Sequence, residues 1–355
     1  MAQTDTKALF DVPITEEEVL KRLKETSSHH RYAQLDREWQ RRFMDFCTGR
    51  KTLPMTYDPF FKRIFHPDIH PHRLERFISG LIGKEVKLKT LLPSEDILLE
   101  GNSLLIMDVL VELTDGSLAT VEIQKIPYAF PGERISCYAS DLVLRQYSRV
   151  KGEKGKGFVY RDMKPVYVIV IYEKSEALFH HMEGQYLHEG SYMFNTGLEL
   201  HFLEKIYLVA LDVFREAVYH KDIEKQGKRE QTGWLSLLTT ETIEEAERNI
   251  REYPWLEEIY REMAAYREKP EEVLYMFSEA LRIMDQNTVM YMIEEQQVKI
   301  AEEKKKNTEQ QKEIEKEKKK NAEQQKEIEE EKKRNAEQQK EIERLQKLLK
   351  EAGIQ

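Results

Sequence analysis

The sequence predicts an α/β fold built around one sheet, extended by further helices and by a long polar C-terminal helix. Three observations carry this prediction. The stretch "MDVLVELTDGSLATVEIQKIP" (107–127) alternates apolar and polar residues on both sides of a Thr-Asp-Gly-Ser turn. An apolar run, "PVYVIVIY" (165–172), follows an amphipathic helical pattern. A 14-residue unit repeats from Asn307. Alternation marks a half-buried strand, and a short continuous apolar run bounded by turn residues marks a fully buried one.

Taken in chain order, residues 14–48 favour helix, and "TEEEVLKRL" opens on a capping box from Thr15 to Glu18. In "YDPFFKRIF" Asp58 is the expected N-cap, with Pro59 at the first helical position. "HRLERFISGLIG" (72–83) places Leu74, Phe77, Ile78, Leu81 and Ile82 on one face and Gly83 at the stop. A strand-like segment, 85–93, leads into a hairpin over 104–126. A helix over 132–150 follows, with Ile135, Ala139, Leu142 and Val143 on its apolar side. A Lys- and Gly-rich loop separates it from the strand 165–172, and "EKIYLVALDVF" (204–214) extends the sheet. Residues 240–298 read as several helices, one limited by Pro254. The expected organisation is a helical arm over 1–50, the α/β domain over 51–220, a helical region over 221–298 and the repeat helix over 299–355.

Composition bounds the function. Apolar residues are 40% of the 355-residue chain, enough for a core, and the 34% charged content is inflated by the tail beyond Ala301. The net charge of −9 argues against a broad basic surface, so nucleic-acid contact needs a local patch. Cys47 and Cys137 give neither a disulfide framework nor zinc spacing, and read as buried residues in a reducing compartment. "HPDIHPH" (His66, His70, His72) reads as a loop of ordinary histidines, because prolines break any helical ligand spacing. No secretory pattern opens the chain, and the run 165–172 is too short to cross a bilayer. The expectation is a soluble cytoplasmic protein without membrane contact.

In the tail, Ile300, Ile314, Ile328 and Ile342 share one heptad position, alternating with Asn307, Asn321 and Asn335. The position where a second apolar seam belongs carries Glu303, Gln310, Glu317, Gln324, Glu331 and Gln338. That is thin for a strong coiled coil. A solvated single helix held by Glu-to-Lys pairs, such as Glu315 to Lys319, is the first reading, and a homodimer through this helix is the second.

The hairpin carries the chemistry. A two-residue turn at Asp115–Gly116 would send Asp108 and Glu122 to opposite faces. A three-residue loop, Thr114–Asp115–Gly116 with Gly116 left-handed, pairs Leu113 with Ser117 and sets Asp108 opposite Glu122. The apolar pattern selects the second register. Met107, Val109, Val111 and Leu113 then share a core face with Ala119, Val121 and Ile123, leaving Asp108, Glu112, Thr120, Glu122 and Gln124 on a charged face. Opposed carboxylates repel unless a cation joins them, and Mg²⁺ accepts such oxygen donors. Solvent-facing acids are the plainer alternative. A local basic run follows: Arg145, Arg149, Lys151, Lys154, Lys156, Arg161 and Lys164 against Glu153 and Asp162.

"YDPFFKRIF", "MDVLVELTDGSLATVEIQK" and "ERISCYASDL", in that order, resemble the PD-(D/E)XK nuclease superfamily, in particular its transposase-like, recombination-promoting (Rpn) group, over about residues 55–215. The resemblance implies a restriction-endonuclease-like core, a mixed sheet flanked by helices. It implies a metal-dependent DNA endonuclease associated with transposition or recombination, with Mg²⁺ or Mn²⁺ held by Asp108 and Glu122. Gln124 falls where Lys is usual, and a neutral amide cannot supply an ammonium charge. Arg134 and Tyr138, one helical turn apart, would support the site. Lys62, Arg145, Arg149, Lys151, Lys154 and Lys156 are the candidate DNA contacts. Glu75 is the nearest acid on the first core helix, though a surface Glu beside Arg73 and Arg76 is the simpler reading. Lys125 faces away by strand alternation. The alternative function is a catalytically inert nuclease-fold protein that binds DNA or a partner.

Overall fold

The computed structural model describes residues 14–92, 109–125, 132–182, 184–220 and 229–351. The chain divides into two units, 1–284 and 285–355. The first opens with helices α1 (Glu16–Glu25), α2 (His29–Gln34), α3 (Arg37–Cys47), α4 (Asp58–Ile64) and α5 (Pro71–Ile82). Strands β1 (Leu88–Leu91), β2 (Val109–Leu113) and β3 (Leu118–Gln124) lead to the long helix α6 (Gly132–Lys154). Then come β4 (Val166–Tyr172), α7 (Ala177–His180), β5 (Leu187–Gly190), β6 (Glu204–Ala210), α8 (Leu211–His220), α9 (Arg229–Thr239), α10 (Ile243–Glu252) and α11 (Glu257–Ala265). The last helix, α12 (Pro270–Glu351), is 82 residues long.

The strands form one mixed sheet in the order β1-β2-β3-β4-β6-β5. β1, β2 and β3 are antiparallel, β3, β4 and β6 run parallel, and β5 closes the far edge antiparallel to β6. Every residue of β4 is buried, as a central strand covered on both faces requires. On one face Val109, Val111, Ala119, Val121, Ile169, Ile171 and Val209 join the main core, which holds Phe43, Phe60, Phe61, Phe77 and Trp234 of the surrounding helices. On the other, Leu110, Leu118, Val166, Val168, Val170 and Tyr172 pack against Ile135, Tyr138, Ala139 and Leu142 of α6. This layering is the expected restriction-endonuclease-like arrangement, with added helices and a long C-terminal helix.

Several expectations need adjusting. The charged face of the hairpin is roofed by α6 rather than open, because the apolar side of that helix covers Leu110, Leu118 and Val168. α4 begins at Asp58 itself, with Tyr57 in the N-cap position. The helix over 132–150 runs four residues further and continues in a 3-10 turn, Gly155–Gly157, so the whole of the supposed Lys–Gly loop, 151–157, is helical. The edge strand β5 has no counterpart in the sequence reading. Thr15 caps α1 by accepting the Glu18 N–H at 3.2 Å, and Gly83 ends α5 at φ +69°. Cys47 is buried but Cys137 is exposed. Of the three histidines, His70 sits 3.3 Å from a Glu262 oxygen. In the tail, Ile300, Ile314, Ile328 and Ile342 are each about half exposed along a continuous helix. Among the described residues, no helix is long and apolar enough to cross a membrane.

Candidate functional site

The turn between β2 and β3 fixes which residues meet. The Leu113 N–H donates to the Ser117 carbonyl at 2.9 Å, and the Gly116 N–H donates to the Leu113 carbonyl at 2.9 Å. Gly116 stands at φ +86°, a conformation favouring residues without a Cβ. The Asp115 carboxylate accepts the Ser117 N–H at 2.9 Å and Lys84 Nζ at 2.9 Å, closing the loop from outside. The strands pair Val111 with Ala119, Leu110 with Thr120 and Val109 with Val121. This is the three-residue loop and the register chosen by the apolar pattern. Asp108, the residue before Val109, lies outside the described residues.

Glu122 follows Val121 and is 1% exposed. It pairs across β4 with Val170, on the sheet face where Tyr138 and Leu142 of α6 pack. The plainer alternative, a solvent-facing acid, therefore does not hold for Glu122. Thr120 Oγ1, two residues back on the same face, lies 3.0 Å from Glu122 Oε1 and 3.1 Å from the Val109 carbonyl. Gln124 comes next on that face and is half-buried; its backbone carbonyl accepts the Glu173 N–H at 2.8 Å.

Glu112, a further acid of this face, has a different fate. It is bound by Lys89 Nζ at 2.8 Å and by Arg149. Burial opposes its ionisation, but hydrogen bonds from Lys89 and Arg149 prevail and hold its pKa below the ordinary carboxylate value. Glu112 is thus a structural anchor between β1, β2 and α6.

Arg134 and Tyr138 meet as the helical spacing requires. Arg134 Nη2 donates to the Tyr138 hydroxyl at 3.3 Å, with the guanidinium carbon 5.6 Å from the ring centre. Tyr138 is wholly buried, so its ring is a core element and its hydroxyl carries the polar contact. Further along α6 the basic residues separate into two groups. Arg145 Nε donates to Asp141 at 2.6 Å, with both side chains about a tenth exposed. Arg149 joins Glu112 and donates to the Gly116 carbonyl at 3.0 Å. Both arginines thereby hold the fold together. Lys151, Lys154 and Lys156 are exposed, Lys151 bonded to the Tyr147 hydroxyl at 2.7 Å and Lys154 to Asp162 at 2.6 Å. Lys62 is exposed on α4, away from this run in sequence.

Glu75 has a structural task that sequence proximity hid. Its carboxylate accepts the Leu88 N–H at 2.8 Å and faces Lys87 at 3.5 Å, fastening the start of β1. Its supposed neighbours pair elsewhere: Arg73 is 3% exposed and bound to Glu258 and Glu262, and Arg76 binds Glu230.

Lys125 projects away from Glu122, as strand alternation requires. Its ammonium pairs with Glu173, donates to Thr56 Oγ1 at 3.1 Å and lies 3.2 Å from the Tyr57 ring centre. Burial pushes its pKa down to about 8 against the pull of Glu173. Sequence reasoning missed this cluster because Thr56, Tyr57 and Glu173 come from distant segments. Thr120, placed on the charged face by the two-residue period of β3, makes a contact with Glu122 that the pattern alone did not assign.

Among the described residues no group of three or more His, Cys, Asp or Glu side chains is placed to hold a metal ion. The Glu122 carboxylate and the Gln124 amide carbonyl are hard oxygen ligands of the kind Mg²⁺ and Mn²⁺ accept. Against known proteins, a family model described as PD-(D/E)XK nuclease family transposase matches residues 55–293, about two thirds of the chain. Neither a curated protein nor a solved structure gives a match.

Proposed function

We propose that this chain, which belongs to the PD-(D/E)XK nuclease family of transposases, is a metal-dependent DNA endonuclease acting in transposition or recombination. Nucleases of this kind use divalent metals and act on DNA. The observation that carries the reading is the burial of Glu122, 1% exposed on a face it shares with Leu110, Thr120, Val168 and Val170. Burying a carboxylate costs several kcal/mol, roughly, unless hydrogen bonds or a cation compensate. Glu122 follows Val121 just as Asp108 precedes its partner Val109, which supports their acting as a pair.

In this reading Asp108 and Glu122 hold Mg²⁺ or Mn²⁺, and Gln124 completes the donor set through its amide carbonyl. The ion, when bound, supplies an activated water and neutralises charge developing on the phosphodiester. Thr120 fixes one Glu122 oxygen and so sets the direction of the other. Arg134, steadied by the Tyr138 hydroxyl, offers a cation to a phosphate oxygen. Lys62, Lys151, Lys154 and Lys156 contact the DNA backbone, with Arg145 and Arg149 shaping the helix that presents the last three. The tail is a solvated single helix, association of two copies through its heptad stripe being the second reading, and the protein works in the cytoplasm.

Nicking of supercoiled plasmid by the purified full chain with Mg²⁺ tests the reading. Asp108→Ala and Glu122→Ala are expected to abolish nicking, and the reading fails if both variants nick like the parent. A catalytically inert, DNA-binding nuclease fold is the second reading. Gln124 favours it, since the adjacent Lys125 is committed to Glu173 on the opposite face. DNA binding without nicking in either Mg²⁺ or Mn²⁺ would establish it. Sedimentation of the full chain against one ending at Gln297 tests the association of two copies, an unchanged state of assembly refuting it.

A further inference from the structure

The far end of α6 carries an aromatic cluster that the endonuclease reading does not use. Tyr147 and Tyr160 have ring centres 6.4 Å apart with planes only 16° from parallel. Phe158 sets its ring edgewise to both, at 5.4 Å from Tyr147 and 5.5 Å from Tyr160. This is no core. Tyr160 is 78% exposed and the adjoining Val159 56% exposed. A solvent-exposed ring such as Tyr160, on the short 3-10 turn Tyr160–Asp162, gains little for stability where it stands.

Cations accompany the rings along the chain. Lys151 Nζ lies 5.0 Å from the Tyr147 ring centre, and Lys154, Lys156, Arg161 and Lys164 are all exposed on the same short stretch. The acids there are Glu153 and Asp162, and Asp162 is bound to Lys154 and to the Val159 N–H. In a chain of net charge −9, this is a positive surface interleaved with π faces.

From this juxtaposition we infer that Tyr160 and Tyr147, with Lys151, Lys156 and Arg161, form a stacking platform for unpaired bases of single-stranded DNA. The inference rests on the DNA reading above and names the form of DNA this end of the protein engages. A duplex buries its base faces in the stack and offers only phosphates to the lysines. An unpaired strand offers phosphates to the lysines and base faces to the tyrosines at once. Along α6, Lys151 lies thirteen residues beyond Tyr138, roughly 20 Å at the helical rise. The platform is therefore separate from the Glu122 side and contacts DNA flanking it.

The test measures binding of the full chain to a labelled twelve-residue oligothymidylate and to a labelled duplex of equal length, by fluorescence anisotropy in EDTA. Tyr160→Ala is expected to weaken single-strand binding about 5- to 100-fold and duplex binding less than twofold. Tyr160→Trp, which keeps a ring, is expected to restore single-strand binding. Lys156→Glu is expected to weaken both, because phosphates are common to both. Equal single-strand affinity in Tyr160→Ala and the parent overturns the inference, as does equal weakening for both DNA forms. Tyr160 is largely exposed, so these substitutions leave the fold intact, and a thermal melt verifies it. Binding in EDTA is independent of nicking, so failure here leaves the Asp108 and Glu122 test standing, and the reverse also holds.

Discussion

Thr120 Oγ1 and Glu122 Oε1 stand 3.0 Å apart on the face of β3 that α6 covers. Both residues are almost fully buried, so this hydroxyl is a donor that water cannot readily replace. Thr120→Val keeps the shape of the side chain and removes the donor. Such positioning groups are typically worth about 10- to 100-fold in metal affinity. The expected outcome is a loss of that order in Mn²⁺ affinity by calorimetry, with the same loss in nicking at low metal. Thr120→Ser, which keeps the hydroxyl, is expected to recover both. Unchanged metal affinity in Thr120→Val would remove Thr120 from the site.

Lys125 predicts a pH dependence of stability. Its folded pKa of about 8 lies below the ordinary 10.5. Between those values the unfolded chain binds more protons than the folded one, so stability rises with pH through that window. Below pH 8 the cost of burying the ammonium is fully present. Lys125→Met removes the titrating group, and the difference in unfolding free energy between parent and variant is expected to move in favour of the parent from pH 8 to 10. The slope cannot exceed about 1.4 kcal/mol per pH unit. Parallel urea-denaturation curves at all pH values would show that Lys125 titrates normally.

Gly116 predicts a backbone effect without a steric clash. Among the described residues a Cβ at this position would meet only Lys164 Cγ, at an ordinary 3.5 Å, so the penalty comes from φ +86°. Gly116→Ala is expected to cost about 1–2 kcal/mol in chemical denaturation. Gly116→Asn, which tolerates this region better, is expected to cost less. A neutral alanine variant would mean that the turn can relax into another form.

How much of this was legible depended on the range of the interactions. The hairpin register followed from local pattern alone, because a one-residue slip would have buried carboxylates among Val109, Val111 and Val121. The apolar side of α6 was equally plain, since Ile135, Ala139 and Leu142 recur at helical spacing. Where that helix docks was not, because its place is set by the parallel pairing of β3 with β4 across the whole crossover. β5 escaped notice for a related reason. "LHEG" has little strand preference of its own, and its ladder with β6 defines it.

The candidate site divides in the same way. Glu122, Gln124, Arg134 and Tyr138 stand where the spacing put them. The basic run looked uniform in sequence, yet Arg145 and Arg149 pair with Asp141 and Glu112 while the lysines beyond them do not leave the surface. Arg73 and Glu75 were read as surface neighbours, whereas each is claimed by a partner from another segment. Ion pairs across long sequence separations leave no periodic trace.

The Gly116 carbonyl accepts from Gln146 Nε2 at 3.1 Å as well as from Arg149, and the same Gln146 accepts the Lys164 N–H at 2.6 Å. These contacts tie the register of the hairpin to the position of α6. A strand pair that closes one residue out of step offers α6 the wrong carbonyl, forfeits both donors and leaves the entry to β4 unfastened. The contacts of α6 thus favour one register of the hairpin over its neighbours.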